Sequence, residues 1–181
     1  TIMLARKMKK ADLHAYLTSF GLGARTELGL KGESAGILPG PDMPDYSRDG
    51  LAFGGSAVAV TAIQEAAAVA SVVNGGIYNQ PRLIASTVNS DGEEEAYPVA
   101  EPRRVISPEA SKELVSMMEA MVTNSSSPTF VVDGYRTGAK TGTTQRIDPK
   151  TGKRSGIIGS TIGVGPVEDP QILTYVVVNN P

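Results

Sequence analysis

Cysteine is absent from the chain, so disulfides, thiolate nucleophiles and cysteine-ligated metals are all excluded, although the compartment stays open. Histidine occurs once, as His14, which rules out a multi-histidine metal site built from this chain. No apolar run approaches the ~18 residues that a membrane helix needs, and no signal peptide is visible. An excess of positive charge is missing too. The 17 lysines and arginines stand interspersed among 19 aspartates and glutamates, for a net charge of −2. That argues against nucleic acid as the main partner, because phosphate binding needs a concentrated positive field. No cofactor is expected.

What is present is an ordinary globular composition. Hydrophobic residues make up 40% and charged residues 20%, which suits a soluble domain rather than a disordered chain. A length of 181 residues holds one domain with a real core and is too short for two. The opening TIMLARKMKK reads as the middle of a helix rather than a natural start, so further sequence is expected upstream.

Helical spacing of Leu4 with Met8, and of Leu13, Tyr16, Leu17 and Phe20, predicts two short helices over residues 2–20, stopped by Gly21 and Gly23. Residues 24–56, with Pro39, Pro41 and Pro44, read as a long surface loop. Residues 61–74 are the clearest helix. Thr61 and Gln64 form a capping box, Gly75 is the stop, and the small, apolar middle suits close burial against a sheet. A hairpin is expected from 82–89 and 95–99 around Ser90-Asp91-Gly92, with a solvated acidic tip at 93–95. Ser107-Pro108 opens a helix to about Val122, with Leu114, Met117, Met118 and Met121 facing inward as core packing.

The last third is β. Residues 136–144, 156–165 and 171–179 are extended, and connections too short for helical crossovers predict an antiparallel meander. ILTYVVVNN is apolar on both alternating faces, which marks a strand covered on both sides. Its free edge wants a further strand.

The stretch GYRTGAKTGTTQ, residues 134–145, carries the chemistry. A phosphate-binding loop is nearly spelled, but Ala139 replaces its second glycine, and the Thr-Gly-Thr-Thr that follows Lys140 is a poor helix start. Lys-Thr-Gly in an extended segment fits better, as one of the marks of penicillin-binding proteins and class A β-lactamases. A lysine ammonium and a threonine hydroxyl hold a carboxylate by charge and hydrogen bond. Gly142 lets a peptide lie against the backbone, and the next N–H, on Thr143, can point at a developing oxyanion. The triplet alone discriminates poorly, since Lys150-Thr151-Gly152 repeats it in what reads as a polar turn. Context separates the two.

Three segments together resemble the C-terminal part of the transpeptidase domain of class B penicillin-binding proteins, the monofunctional peptidoglycan D,D-transpeptidases. They are FGLGARTELGLKGESAGILP (20–39), LAFGGSAVAVTAIQEAAAVASVVNGG (51–76) and GYRTGAKTGTTQ, so the likeness spans nearly the whole chain, 1–181. The resemblance implies an α+β fold in which helices flank an antiparallel five-stranded sheet, with three of those strands in this chain. It implies a serine acyl-transferase that cross-links D-Ala-D-Ala stem peptides of peptidoglycan and is acylated by β-lactam antibiotics. Lys140, Thr141, Gly142 and Thr143 would bind substrate, and Thr143 would also give the oxyanion N–H. The family's setting is the outer face of the bacterial cytoplasmic membrane, with an N-terminal anchor outside this chain and with division or elongation proteins as partners.

The departures are as informative. The family's nucleophile and base lie in S-x-x-K and its second motif is S-x-N, and this chain contains neither. The expectation is therefore a piece of an enzyme, inactive alone, that needs the N-terminal remainder of the same domain. A D,D-carboxypeptidase, with water as acceptor, stays open, as does a non-catalytic β-lactam sensor or binding module. His14 is expected at a surface position without a role. Asn124-Ser125-Ser126 matches a glycosylation acceptor but reads as a connector, and Thr144 and Gln145 continue the active strand.

Overall fold

The computed structural model describes residues 1–55, 58–125, 128–148 and 150–181. Its centre is a three-stranded antiparallel meander of β5 (Gly138–Ile147), β6 (Arg154–Gly165) and β7 (Ile172–Asn179), in that order. Cross-strand partners share a face, so register sorts the side chains. Lys140 pairs with Ile162 and Ile162 with Tyr175; Gly142 pairs with Ser160 and Ser160 with Val177. These residues, with Gly138, Val164 and Leu173, form the face on which the helices pack.

Two helices cover one end of that face. In α4 (Ala62–Val73) both bonds of the capping box form: the Gln64 N–H donates to Thr61 Oγ1, and the Thr61 N–H to Gln64 Oε1. Gln64 is also one of the most buried side chains. Its Nε2 donates to the carbonyls of Ala24 (2.6 Å) and Ala35 (2.9 Å), pinning the long loop to the helix start. In α5 (Pro108–Thr123) Ser107 caps the helix as expected, its Oγ accepting from the Ala110 N–H. Val73, Val115, Val164 and Val167 form the core between helices and sheet, joined by Val69, Val72, Met118 and Leu173.

Five expectations need correction. Of the residues set inward on α5, Met118 reaches the core and Met121 is half-buried, but Leu114 and Met117 are exposed. The buried line runs Ser111, Val115, Met118, Val122 instead, because a serine takes the seam between the helices. Ser111 Oγ donates to the Val72 carbonyl at 2.5 Å and accepts from the Gly75 N–H at 3.1 Å. The strand β7 is not covered on both sides: Ile172, Val176, Val177 and Val178 are exposed, and only Leu173 and Tyr175 are half-buried. Its pairing is with β6 alone among the described residues.

Loop 24–56 contains α3 (Asp45–Leu51), which local sequence did not announce because ion pairs with distant cations anchor it. Arg6 pairs with Asp49 (2.5 Å) and Lys10 with Asp45 (2.7 Å), tying α3 to α1 (Ile2–Ala5) and α2 (Lys10–Ser19). The two N-terminal helices form where expected, but α2 buries none of its residues and Tyr16 is exposed. His14 is half-buried rather than a surface position, its Nδ1 2.8 Å from the Pro39 carbonyl oxygen. The remaining strands are short: β1 (Ile77–Tyr78) pairs with β4 (Arg103–Arg104), and β2 (Ser86–Val88) with β3 (Glu94–Ala96) as the expected hairpin. Ser126, of the glycosylation-like triplet, and Pro149, of the linker before β6, lie outside the described residues.

Candidate active site

The site is the free margin of β5, and it begins with what holds that strand in place. Arg136, two residues ahead of β5, donates to Glu119 of α5 through Nε and Nη2, both at 2.7 Å, and to Glu168 through Nη1 at 2.9 Å. A bidentate guanidinium–carboxylate contact fixes orientation as well as distance. Hydrogen bonding and charge from Glu119 raise the Arg136 pKa well above the ordinary arginine range, and Arg136 in turn holds the Glu119 carboxyl below its usual value. The Arg136 carbonyl accepts from the Val167 N–H, and Thr137 Oγ1 donates to the Phe130 carbonyl. At Gly138 the strand lies so close to α5 that a Cβ would stand 3.0 Å from Met118 Cβ and 3.1 Å from Val164 Cγ1. The entrance to the strand is thus clamped on three sides.

Beyond that entrance the strand opens. Gly138 and Ala139 are buried, whereas residues 140–145 are all exposed. No other strand pairs with the outer side of β5 among the described residues, so alternate backbone N–H and C=O groups face outward there. Lys140 stands on the helix-packed face beside Ile162, and its Nζ donates to the Thr141 carbonyl at 2.5 Å. Thr141 and Thr143 are exposed on the opposite face, level with Thr161 and Gly159. All four expected site residues therefore fall on one accessible strand edge, with Lys140 and Gly142 on one face and the two threonines on the other.

Sequence reasoning missed the neighbour of Gly142. A Cβ at that position would come within 2.7 Å of Ser160 Oγ on β6, so the glycine clears space for a cross-strand hydroxyl. Residue 160 lies in an apolar-rich strand, and only the register reveals its place beside the motif. The second triplet behaves as expected: Asp148 Oδ1 accepts from the Lys150 N–H at 2.8 Å and the Thr151 N–H at 3.3 Å, which makes it a turn. A 470 Å³ apolar cavity lies on the other side of the sheet, lined by Phe130, Tyr135, Ala139, Gly163 and Ile172 among others, away from Lys140.

The penicillin binding protein transpeptidase domain matches residues 1–181. Stage V sporulation protein D of Bacillus subtilis is 35% identical over 184 residues, covering 99% of this chain and 28% of that protein. Peptidoglycan D,D-transpeptidase FtsI of Escherichia coli is 31% identical over 180 residues, covering 98% of this chain and 29% of that protein. The chain thus spans less than a third of the curated relatives it matches. Penicillin binding protein 3 of Mycobacterium tuberculosis, solved in complex with aztreonam, superposes with a TM-score of 0.91 at 28% identity, over 99% of this chain and 42% of that one. Its apo form gives 0.90. With a family match along its whole length and an α+β fold shared with these structures, the chain belongs to the penicillin-binding protein transpeptidase domain family.

Proposed function

We propose that this chain, residues 1–181, is the C-terminal portion of a peptidoglycan D,D-transpeptidase domain and supplies the substrate-binding strand, while the nucleophile comes from residues outside it. The observation that carries the reading is the exposed edge of β5, where Lys140, Thr141, Gly142 and Thr143 stand accessible behind a clamped entrance. The Lys140 ammonium and Thr141 hydroxyl receive the terminal carboxylate of a D-Ala-D-Ala stem peptide. Gly142 admits the peptide backbone, and the Thr143 N–H faces the oxygen that becomes an oxyanion. A serine Oγ from the N-terminal remainder of the domain attacks the penultimate carbonyl carbon, the C–N bond breaks, and the terminal D-Ala leaves. The amine of a neighbouring stem peptide then attacks the ester, forming the cross-link and releasing the serine. A β-lactam enters the same way, its ring amide opening to the acyl-enzyme.

The chain has no S-x-x-K, so alone it is inactive. The relatives' names, a sporulation protein and a D,D-transpeptidase, support a place at the outer face of the cytoplasmic membrane among division or elongation proteins. No helix among the described residues is long and apolar enough to cross a membrane.

The test is covalent labelling by a fluorescent penicillin of the protein that carries this chain joined to the rest of its domain. Labelling is expected, with Lys140→Ala lowering the second-order rate ~10- to 100-fold, the worth of a hydrogen bond to a charged group. A folded full-length protein that resists labelling overturns the assignment.

A further inference from the structure

The sheet edge does not end at the motif. β5 and β6 run on past Gln145 into a hairpin, and residues 146–154 hold four cations, Arg146, Lys150, Lys153 and Arg154, against the single carboxylate Asp148. In a chain of net charge −2 this is a local concentration of positive charge. None of the four joins an ion pair among the described residues, where the pairs are made by Arg6, Lys10, Arg48 and Arg136. Asp148 directs its Oδ1 to backbone N–H groups, and Arg146 donates to Ser155 Oγ at 3.1 Å. Lys150, Lys153 and Arg154 are exposed.

Exposure along β5 marks the stretch a bound peptide can follow. Upstream of Lys140 the strand is buried at Gly138 and Ala139, and downstream it is exposed as far as Gln145. A ligand whose carboxylate sits at Lys140 and Thr141 and whose chain follows the exposed stretch runs toward the hairpin, antiparallel to β5. At about 3.4 Å per residue, the third to fifth residues counted back from that carboxylate lie level with residues 144–146. There they meet the field of the hairpin's cations.

We propose that the 146–154 hairpin reads the inner residues of the stem peptide, favouring donors whose residues before D-Ala-D-Ala carry free carboxylates over donors in which these are amidated. The inference rests on the transpeptidase reading and adds the substrate's charge state to it. Exposed charge pairs each contribute little, so the preference is several-fold and sensitive to salt.

The test uses the full-length protein and two synthetic stem pentapeptides ending in D-Ala-D-Ala, one with free inner carboxyl groups and one with carboxamides. Each competes against fluorescent-penicillin labelling, and the readout is the ratio of their half-inhibitory concentrations. We expect about three- to ten-fold in favour of the free acid, falling toward one in Lys150→Gln/Lys153→Gln/Arg154→Gln. In the unmutated protein the ratio should also shrink as salt rises from about 50 to about 500 mM, which keeps the proposal testable if the triple variant misfolds. Labelling with a ratio of one, or a ratio indifferent to salt or kept by a folded variant, overturns the hairpin's role and leaves the transpeptidase reading standing. A variant that keeps the ratio but loses binding to vesicles of anionic lipid assigns the hairpin to a membrane surface and likewise overturns it. Absence of labelling in the unmutated protein defeats both.

Discussion

Lys-Thr-Gly occurs twice within thirteen residues, and the two copies share nothing but their letters. At 140–142 the triplet lies in an extended strand, with one edge paired to β6, the other unpaired among the described residues, and its start fastened to α5 through Arg136 and Glu119. At 150–152 the same three residues fold onto Asp148, and Gly152 takes a φ of +66° where an added Cβ would meet nothing within 4 Å. The same letters thus take two backbones, one held in a sheet and one closed as a turn.

The sharpest way to break this comparison is to treat both threonines alike. Thr141→Ala is expected to cut fluorescent-penicillin acylation ~10-fold, while Thr151→Ala stays within about two-fold, because in the proposed function only the first hydroxyl meets the ligand. Equal effects would dissolve the distinction. A smaller effect separates the glycines. Gly142→Ala crowds Ser160 Oγ and should lower stability by about 1 kcal/mol, an effect largely relieved in Gly142→Ala/Ser160→Ala; thermal unfolding of the single and double variants measures the coupling.

The weakest expected effect concerns the clamp and its pH dependence. Glu119 has its pKa lowered from 4.5 by the Arg136 hydrogen bond, so its contribution is present at neutral pH and lost as pH falls through the lowered value. Arg136→Gln should therefore destabilise the fold slightly at pH 7, and the difference from the unmutated protein should fade as pH falls through the lowered Glu119 value, as denaturant melts at several pH values would show. A difference that grows on acidification would contradict the clamp.

What sequence could reveal depended on the range of the interactions. The α4 cap and the α5 start were legible because Thr61 with Gln64, and Ser107 with Pro108, act within one turn. The meander was legible because its connections are short. The inward face of α5 was misread because its seam residue is Ser111, a polar side chain whose partners Val72 and Gly75 lie about forty positions upstream in the chain. The α3 helix and the Arg136 clamp escaped for the same reason, since each is held by residues far away in sequence. At the site, the motif could be read as an extended segment, while Ser160 beside Gly142 required the register.

The buried amide of Gln64 closes the first turn of α4 and at the same time holds Ala24 and Ala35. Fraying of that turn and release of the loop are therefore a single opening event. Amide protons at both places should exchange with solvent together, and a change at this one side chain would loosen both.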